Sequence, residues 1–134
     1  MNKRILVIED EVNTVKNAFK LANIRKYGGG LEIKYESRSQ DINYPSLRQD
    51  FDLVFVDITL ANRSLKNGYG VIKDMLANNL FPKDKIIVLT GNREILEGLK
   101  QNGLPEDLEV LPKPLSFLPL EKLLVSYLPP EDVQ

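Results

Sequence analysis

The stretch LVFVD, from Leu53 to Asp57, decides how the rest of this chain is interpreted. An unbroken apolar run of this kind is typical of a strand that is covered on both faces, as in a parallel sheet. Asp57 would then lie at the C-terminal edge of the sheet, where open α/β sheets bind their ligands. Because an Asp after a strand is usually a turn or helix-cap residue, the interpretation depends on what the other strands carry.

The composition is that of one globular domain and excludes several functions. The chain has 134 residues, of which 43% are hydrophobic and 28% are charged. Its 18 Lys and Arg nearly balance its 19 Asp and Glu, and no long basic run indicates binding to nucleic acid or to an anionic membrane. The absence of Cys and His excludes disulfides, thiolate metal sites and Ser/His or Cys/His catalysis.

The two ends of the chain lead to two further expectations. The apolar run at 5–8 is too short for a signal peptide or a membrane span, so we expect a soluble cytoplasmic protein. The domain is predicted to occupy residues 1–128. Pro129 and Pro130 would end it, and residues 129–134 would form a tail or the start of a linker.

Alternating apolar patterns predict an α/β fold. Five strands are expected at 5–8, 31–35, 53–56, 85–89 and 108–111. The second strand alternates apolar and charged residues, which places it at a sheet edge. Helices are expected at 12–26, at 46–49, from Gly68 to about 79, from Asn92 to Gly103 and from Ser116 to 128. This alternation predicts a single doubly wound five-stranded parallel sheet in the flavodoxin-like order 2-1-3-4-5.

Glycine and polar residues mark the predicted helix ends. The triplet at 28–30 follows a helix and fits no phosphate-binding pattern, so we interpret it as a helix stop. Asn92 and Ser116 are predicted to be helix N-caps. The segment 37–50 contains Pro45, which leaves room for only a short helix.

Polar side chains follow four strands that are neighbours in this strand order. Glu9 and Asp10 come after the first strand, Asp57 after the third, Thr90 after the fourth and Lys113 after the fifth. Each residue alone has a structural explanation, as a helix-dipole partner, a strand former or a surface charge. Together they indicate a single crevice at the carboxyl edge of the sheet.

The chemistry of such a cluster favours phosphoryl transfer. Two carboxylates about 4 Å apart repel by roughly 4 kcal/mol at an effective dielectric constant near 20, so the site should take up a proton or a cation. Oxygen ligands with water suit Mg²⁺. Asp57 is the predicted nucleophile, while Lys113 and the hydroxyl of Thr90 would stabilise the phosphoryl oxygens.

Four motifs carry a resemblance to a known family. The sequences IEDE at 8–11, FVD at 55–57, VLTG at 88–91 and LPKP at 111–114 resemble the receiver domain of two-component response regulators, over essentially the whole chain. The resemblance implies that Asp57 is phosphorylated by a histidine kinase or a histidine phosphotransfer protein. It implies a switch that changes contacts with a downstream protein, with no enzymatic activity beyond phosphotransfer and its own dephosphorylation.

The resemblance also implies roles for the site residues. Mg²⁺ would be bound by Asp10, by Asp57 and by the backbone carbonyl of Thr59, with Glu9 often acting through water. The matching Thr and Lys, at 90 and 113, would sense the phosphoryl group. Positions 59 and 92 vary in the family and tune the lifetime of the phosphate.

Several departures from the family pattern concern signal output. Ala61 stands where the family commonly has Pro, and a longer loop to Gly68 suggests a private partner contact. Val110 replaces the usual switch aromatic, and the segment 37–50 is irregular. These departures support an alternative, a receiver-like interaction module that works without phosphate. A metal-dependent phosphatase is a third reading, but Thr59 occupies the place of the second Asp such enzymes use as general acid.

Overall fold

The computed structural model describes residues 3–60 and 63–130. These residues contain a five-stranded parallel sheet in the order β2-β1-β3-β4-β5, so the predicted fold class and strand order are confirmed. The strands are β1 (Lys3–Ile8), β2 (Leu31–Glu36), β3 (Leu53–Asp57), β4 (Ile86–Thr90) and β5 (Glu109–Pro112).

Five α-helices connect or follow the strands within these described ranges. They are α1 (Val12–Tyr27), α2 (Leu47–Asp50), α3 (Gly68–Ala77), α4 (Ile95–Gln101) and α5 (Phe117–Tyr127). The predicted irregularity of segment 37–50 is confirmed, because α2 has only four residues and follows two single 3-10 turns. Among the described helices, none combines the length and the apolar character that a membrane crossing requires.

The apolar run of β3 contributes to both faces of the sheet. Val54 and Val56 pack in one core cluster with residues of α3 and α4, while Leu53 and Phe55 pack in a second cluster with residues of α1 and α5. Successive side chains of a strand point to opposite faces, and all four are fully buried. The strand is therefore apolar at every position because helices cover both of its faces.

Helix α1 ends where the glycine triplet predicts. Its buried residues Val15, Phe19 and Ala22 recur at steps of four and three, which gives one buried face. Gly28 has a φ of 58°, and its N–H donates to the carbonyl of Asn23. A left-handed residue after the last helical turn is a common helix ending, and Gly adopts this conformation without a steric cost.

Other boundaries differ from the sequence prediction. Asn92 is not the N-cap of α4, because its Oδ1 accepts from the N–H of Glu94 and the helix begins only at Ile95. The same amide group can cap a helix or form a turn of this kind, and here the turn forms. Ser116 has the predicted N-cap position but makes no side-chain capping hydrogen bond. Asn67, which was not predicted to be a helix cap, caps α3 because its Oδ1 accepts from the N–H of Gly70.

Two predictions concern residues outside the described ranges. The expectation for Ala61 and most of the predicted tail, residues 131–134, fall there. Leu128 lies within the described part and is buried against α1 and α5 residues. The end of the domain at residue 128 stays a prediction.

Replacing Phe55 with Ala should destabilise the protein by about 3–5 kcal/mol, because it removes a buried aromatic ring and leaves a cavity. The Phe55 ring is fully buried and meets Phe19 edge to face, with 5.0 Å between the centroids. Urea unfolding measures the change. Leu118→Ala is the control, because Leu118 is 53% exposed and its loss should cost less than about 0.5 kcal/mol. Equal stability losses in the two variants would contradict this account of the core.

Candidate functional site

Backbone hydrogen bonds extend the sheet by one residue at the carboxyl edge. The N–H of Glu9 donates to the carbonyl of the last residue of β2, at 3.0 Å. Ile58 donates to Leu89 at 3.1 Å, and Lys113 donates to Thr90 at 2.9 Å. These bonds fix the residues that follow each strand, so their side chains leave one edge of the sheet from rigid positions.

The ammonium group of Lys113 joins two acids from separate strands. Its Nζ lies 2.6 Å from Oε1 of Glu9 and 3.3 Å from Oδ2 of Asp57. Glu9 is fully buried and Asp57 is 3% exposed. Carboxylate oxygens of Glu9, Asp10 and Asp57 lie within 4.8 Å of one another. The structure thus brings four of the predicted site residues into one cluster.

The backbone around Asp57 holds its carboxylate and requires a glycine beside it. Oδ1 of Asp57 accepts from the N–H of Thr59 at 3.1 Å, which leaves Oδ2 toward Lys113. Gly68, the first residue of α3, donates to the carbonyl of Ile58 at 2.9 Å. A Cβ at Gly68 would lie 2.2 Å from the backbone oxygen of Asp57, so only glycine fits there. From the sequence, Gly68 indicates the start of a helix and the end of a long loop, but not this close approach to Asp57.

Thr90 lies at the same edge of the sheet with its hydroxyl already in use as an acceptor. It is 5% exposed, and its Oγ1 accepts from the N–H of Asn92 at 3.0 Å. No hydrogen bond joins it to Asp57 among the described residues. The hydroxyl proton of Thr90 remains available for donation, since an O–H group can donate and accept at the same time.

The acid cluster favours the uptake of positive charge. Burial, reinforced by the hydrogen bond with Asp57, raises the pKa of Glu9 to about 8, although Lys113 acts in the opposite direction. Burial acts to lower the pKa of Lys113, but its hydrogen bond with Glu9 and the charge of Asp57 outweigh burial and raise it. Lys113 is therefore a permanent cation, and it does not fully compensate the buried acids.

The donor set fits a hard divalent cation. Three carboxylates from two neighbouring strand ends supply oxygen ligands, and imidazole and thiolate ligands are excluded because the chain has no His and no Cys. The pKa of Glu9 is raised because one lysine compensates only part of the negative charge of the buried cluster. The carbonyl of Thr59, predicted as a further ligand, stays a prediction.

In metal-free protein, the stability should fall as the pH rises from about 4.5 to about 8. The pKa of Glu9 rises from 4.5 to about 8 on folding, so the folded state binds the extra proton throughout this window. The slope for one proton is at most about 1.4 kcal/mol per pH unit, and the curve should level off above pH 8. Glu9→Gln, which cannot ionise, should remove this slope.

Urea unfolding at several pH values, with a chelator present, measures the effect. Glu106→Gln, at an exposed acid, is the matched control and should keep the wild-type profile. Parallel profiles for wild type and Glu9→Gln would show that Glu9 does not bind a proton on folding.

Comparisons with solved structures identify proteins that share this fold. No family model matches the chain, and no curated protein matches it. The solved structure of the phosphorylated cyanobacterial phytochrome response regulator RcpA aligns with a TM-score of 0.72 and 15% identity, over 96% of each chain. The BeF3-activated N-terminal receiver domain of Klebsiella pneumoniae RstA aligns with a TM-score of 0.66 and 20% identity, over 96% of this chain and 99% of that one.

A third structure gives the same result. A CheY-like response regulator receiver domain protein from Methanospirillum hungatei JF-1 aligns with a TM-score of 0.67 and 19% identity, over 94% of this chain and 93% of that one. Alignments of this extent and identity establish the architecture. The chain therefore has the CheY-like fold of response regulator receiver domains.

Proposed function

We propose that this chain is a phosphoacceptor switch. Asp57 accepts a phosphoryl group from a histidine kinase or a histidine phosphotransfer protein in the presence of Mg²⁺, and the change in charge alters contacts with a downstream protein. The observation that carries this proposal is the single ammonium group that contacts both Glu9 and Asp57. The receiver fold supports it.

Asp57 has the environment that a nucleophilic carboxylate needs. The Thr59 N–H binds one of its oxygens and Lys113 binds the other, so the carboxylate cannot rotate freely. In the transfer, the carboxylate oxygen forms a bond to phosphorus while the bond from phosphorus to the donor nitrogen breaks, and the imidazole leaves with the electron pair. Lys113 is then close enough to neutralise the phosphoryl oxygens that arrive at Asp57.

The remaining acids would hold the metal. Asp10, Asp57 and the carbonyl of Thr59 would bind Mg²⁺ directly, with Glu9 acting through water. When bound, the ion supplies positive charge to the phosphoryl oxygens. Glu9 also contacts Nζ of Lys113 at 2.6 Å. In the proposal it therefore positions the Lys113 ammonium group and also contributes negative charge toward Mg²⁺.

A route for the signal begins at Thr90 and does not need an aromatic residue at Val110. Phosphorylation adds a charge of roughly −1.5 to −2 beside the Thr90 hydroxyl. A shift of Thr90 toward that charge would act on Asn92, whose N–H it binds. Asn92 in turn accepts from Glu94, immediately before α4. These contacts support α4 as the element whose surface changes.

Two other functions can be compared with the proposed switch. An interaction module without phosphorylation is favoured by Val110, which lies half-buried where the family has its switch aromatic. The cluster of Lys113 with the acids is unexplained in that case, because an interaction module needs no buried charge. A phosphatase is disfavoured, because Thr59 has no carboxyl group to act as a general acid.

Incubation with Mg²⁺ and a small phosphodonor should add one phosphate to the protein, and Asp57→Asn should abolish the addition because the amide is not a nucleophile. Intact mass spectrometry measures the adduct. Asp52→Asn is the control, since Asp52 lies at the opposite edge of the sheet, and it should be phosphorylated like wild type. An equal adduct on Asp57→Asn would end the proposal, and no adduct on folded wild type would favour the interaction module.

Mg²⁺ should stabilise the folded protein, and Asp10→Asn should weaken its binding by about tenfold or more because a charged ligand is lost. At a free Mg²⁺ concentration of about 100 times the dissociation constant, the stabilisation should be about 2.7 kcal/mol. Thermal unfolding over a range of Mg²⁺ concentrations gives the affinity. Glu106→Gln is the control for the lost charge, and unchanged affinity in Asp10→Asn would remove Asp10 from the proposed metal site.

A further inference from the structure

A cavity of about 240 Å³ borders the acid cluster and is lined in part by basic residues. Asp10, Ser37, Arg38 and Arg63 line it. Asp10 belongs also to the acid cluster, so the cavity borders the proposed phosphoacceptor site. None of the predicted roles of the site residues accounts for two guanidinium groups at this position.

Side-chain hydrogen bonds hold the β3–α3 loop against the turn at 39–41 and so position the backbone of Arg63 beside the cavity. Nε2 of Gln40 donates to the carbonyl of Arg63 at 2.8 Å. The N–H of Ser39 donates to Oγ of Ser64 at 2.8 Å, and the N–H of Lys66 donates to Oγ of Ser39 at 2.9 Å. Ser39 is only 3% exposed, so its two bonds are partly protected from water. The longer loop therefore places Arg63 in the wall of a cavity that Asp10 also lines.

The charges around the cavity leave Arg63 without compensation. Arg38 binds both carboxylate oxygens of Asp41, at 2.8 Å and 3.1 Å, so its charge is already paired. Within residues 3–60 and 63–130, the Arg63 guanidinium has neither an ion pair nor a hydrogen bond. Asp10 is the one acid among the described residues that line the cavity, and in the proposed function it would bind the metal. What remains is one cation beside a small cavity.

We infer that this cavity receives the leaving group of a small acyl phosphate and that Arg63 determines specificity for donors of this class. The inference rests on the proposed function, because it needs Asp57 to be the phosphoryl acceptor. The volume suits a donor of small size, and a guanidinium group binds carboxylates through paired hydrogen bonds.

The reaction explains why Arg63 would favour this donor class. An oxygen of Asp57 forms a bond to phosphorus, and the bond from phosphorus to the acyl oxygen breaks. The electron pair stays on that oxygen, so a carboxylate leaves with a full negative charge and no proton is needed. Arg63 stabilises the charge that develops on this leaving oxygen. Phosphoramidate, by contrast, releases neutral ammonia, and a nearby cation gives that departure no advantage.

The test compares phosphorylation rates with two donors, acetyl phosphate and phosphoramidate, by intact mass in the presence of Mg²⁺. Arg63→Ala should lower the rate constant with acetyl phosphate by about tenfold, which corresponds to the loss of one charge-assisted contact. The rate constant with phosphoramidate should change less than about twofold. Arg63→Lys should recover part of the acetyl phosphate rate, because it keeps the charge but lacks the paired donors.

Lys20→Ala is the matched control, because it removes one exposed positive charge from α1 and should leave both rates unchanged. Circular dichroism and thermal midpoints check that every variant is folded. An unchanged acetyl phosphate rate in Arg63→Ala, or an equal loss with both donors, would overturn the inference and leave the proposed function standing. If wild type forms no adduct with either donor, the proposed function fails, and the inference that rests on it fails too.

Discussion

The contact of one ammonium group with two buried carboxylates is the interaction on which the rest of the site depends. Glu9 and Asp57 come from adjacent strands, and Lys113 reaches them from the last strand of the sheet. Like charges this close, and this deeply buried, are unfavourable without a compensating cation. The sheet must therefore hold three strand ends in register. The same few charged atoms affect both the stability of the fold and the chemistry of the crevice.

The sheet can hold these strand ends in register because its central strand is packed from both sides. Val56 and Phe55 lie in different core clusters, so displacement of β3 would disturb the contacts of helices on both faces. A close-packed interior resists such displacement. The polar cluster begins where this packing ends, at Asp57, and the side chains beyond it are positioned by backbone hydrogen bonds that continue the sheet. The packed core and the polar edge of the sheet are therefore consecutive parts of one strand.

The sequence was sufficient to predict the strand order and the residues of the acid cluster, because parallel strands bring all their carboxyl ends to one edge. The hydrogen bonds that these side chains make were harder to predict from the sequence. Asn92 can either cap a helix or form a turn, and the local pattern is the same for both. The contacts of Gln40 with the loop of Arg63 join segments that are distant in the chain. The periodicity of apolar residues does not predict such contacts. Sequence patterns capture burial and chain direction, whereas pairings of this kind depend on the completed fold.

Gly68 separates the part of the β3–α3 connection that can change from the part that cannot. The clash that any side chain would make with the Asp57 carbonyl fixes this one residue. Loop length has only a weak effect on the entropy of closing the chain, so the residues before this anchor are free to lengthen, shorten or change sequence over evolution. The surface formed by these residues can then diverge between related chains without any alteration at Asp57.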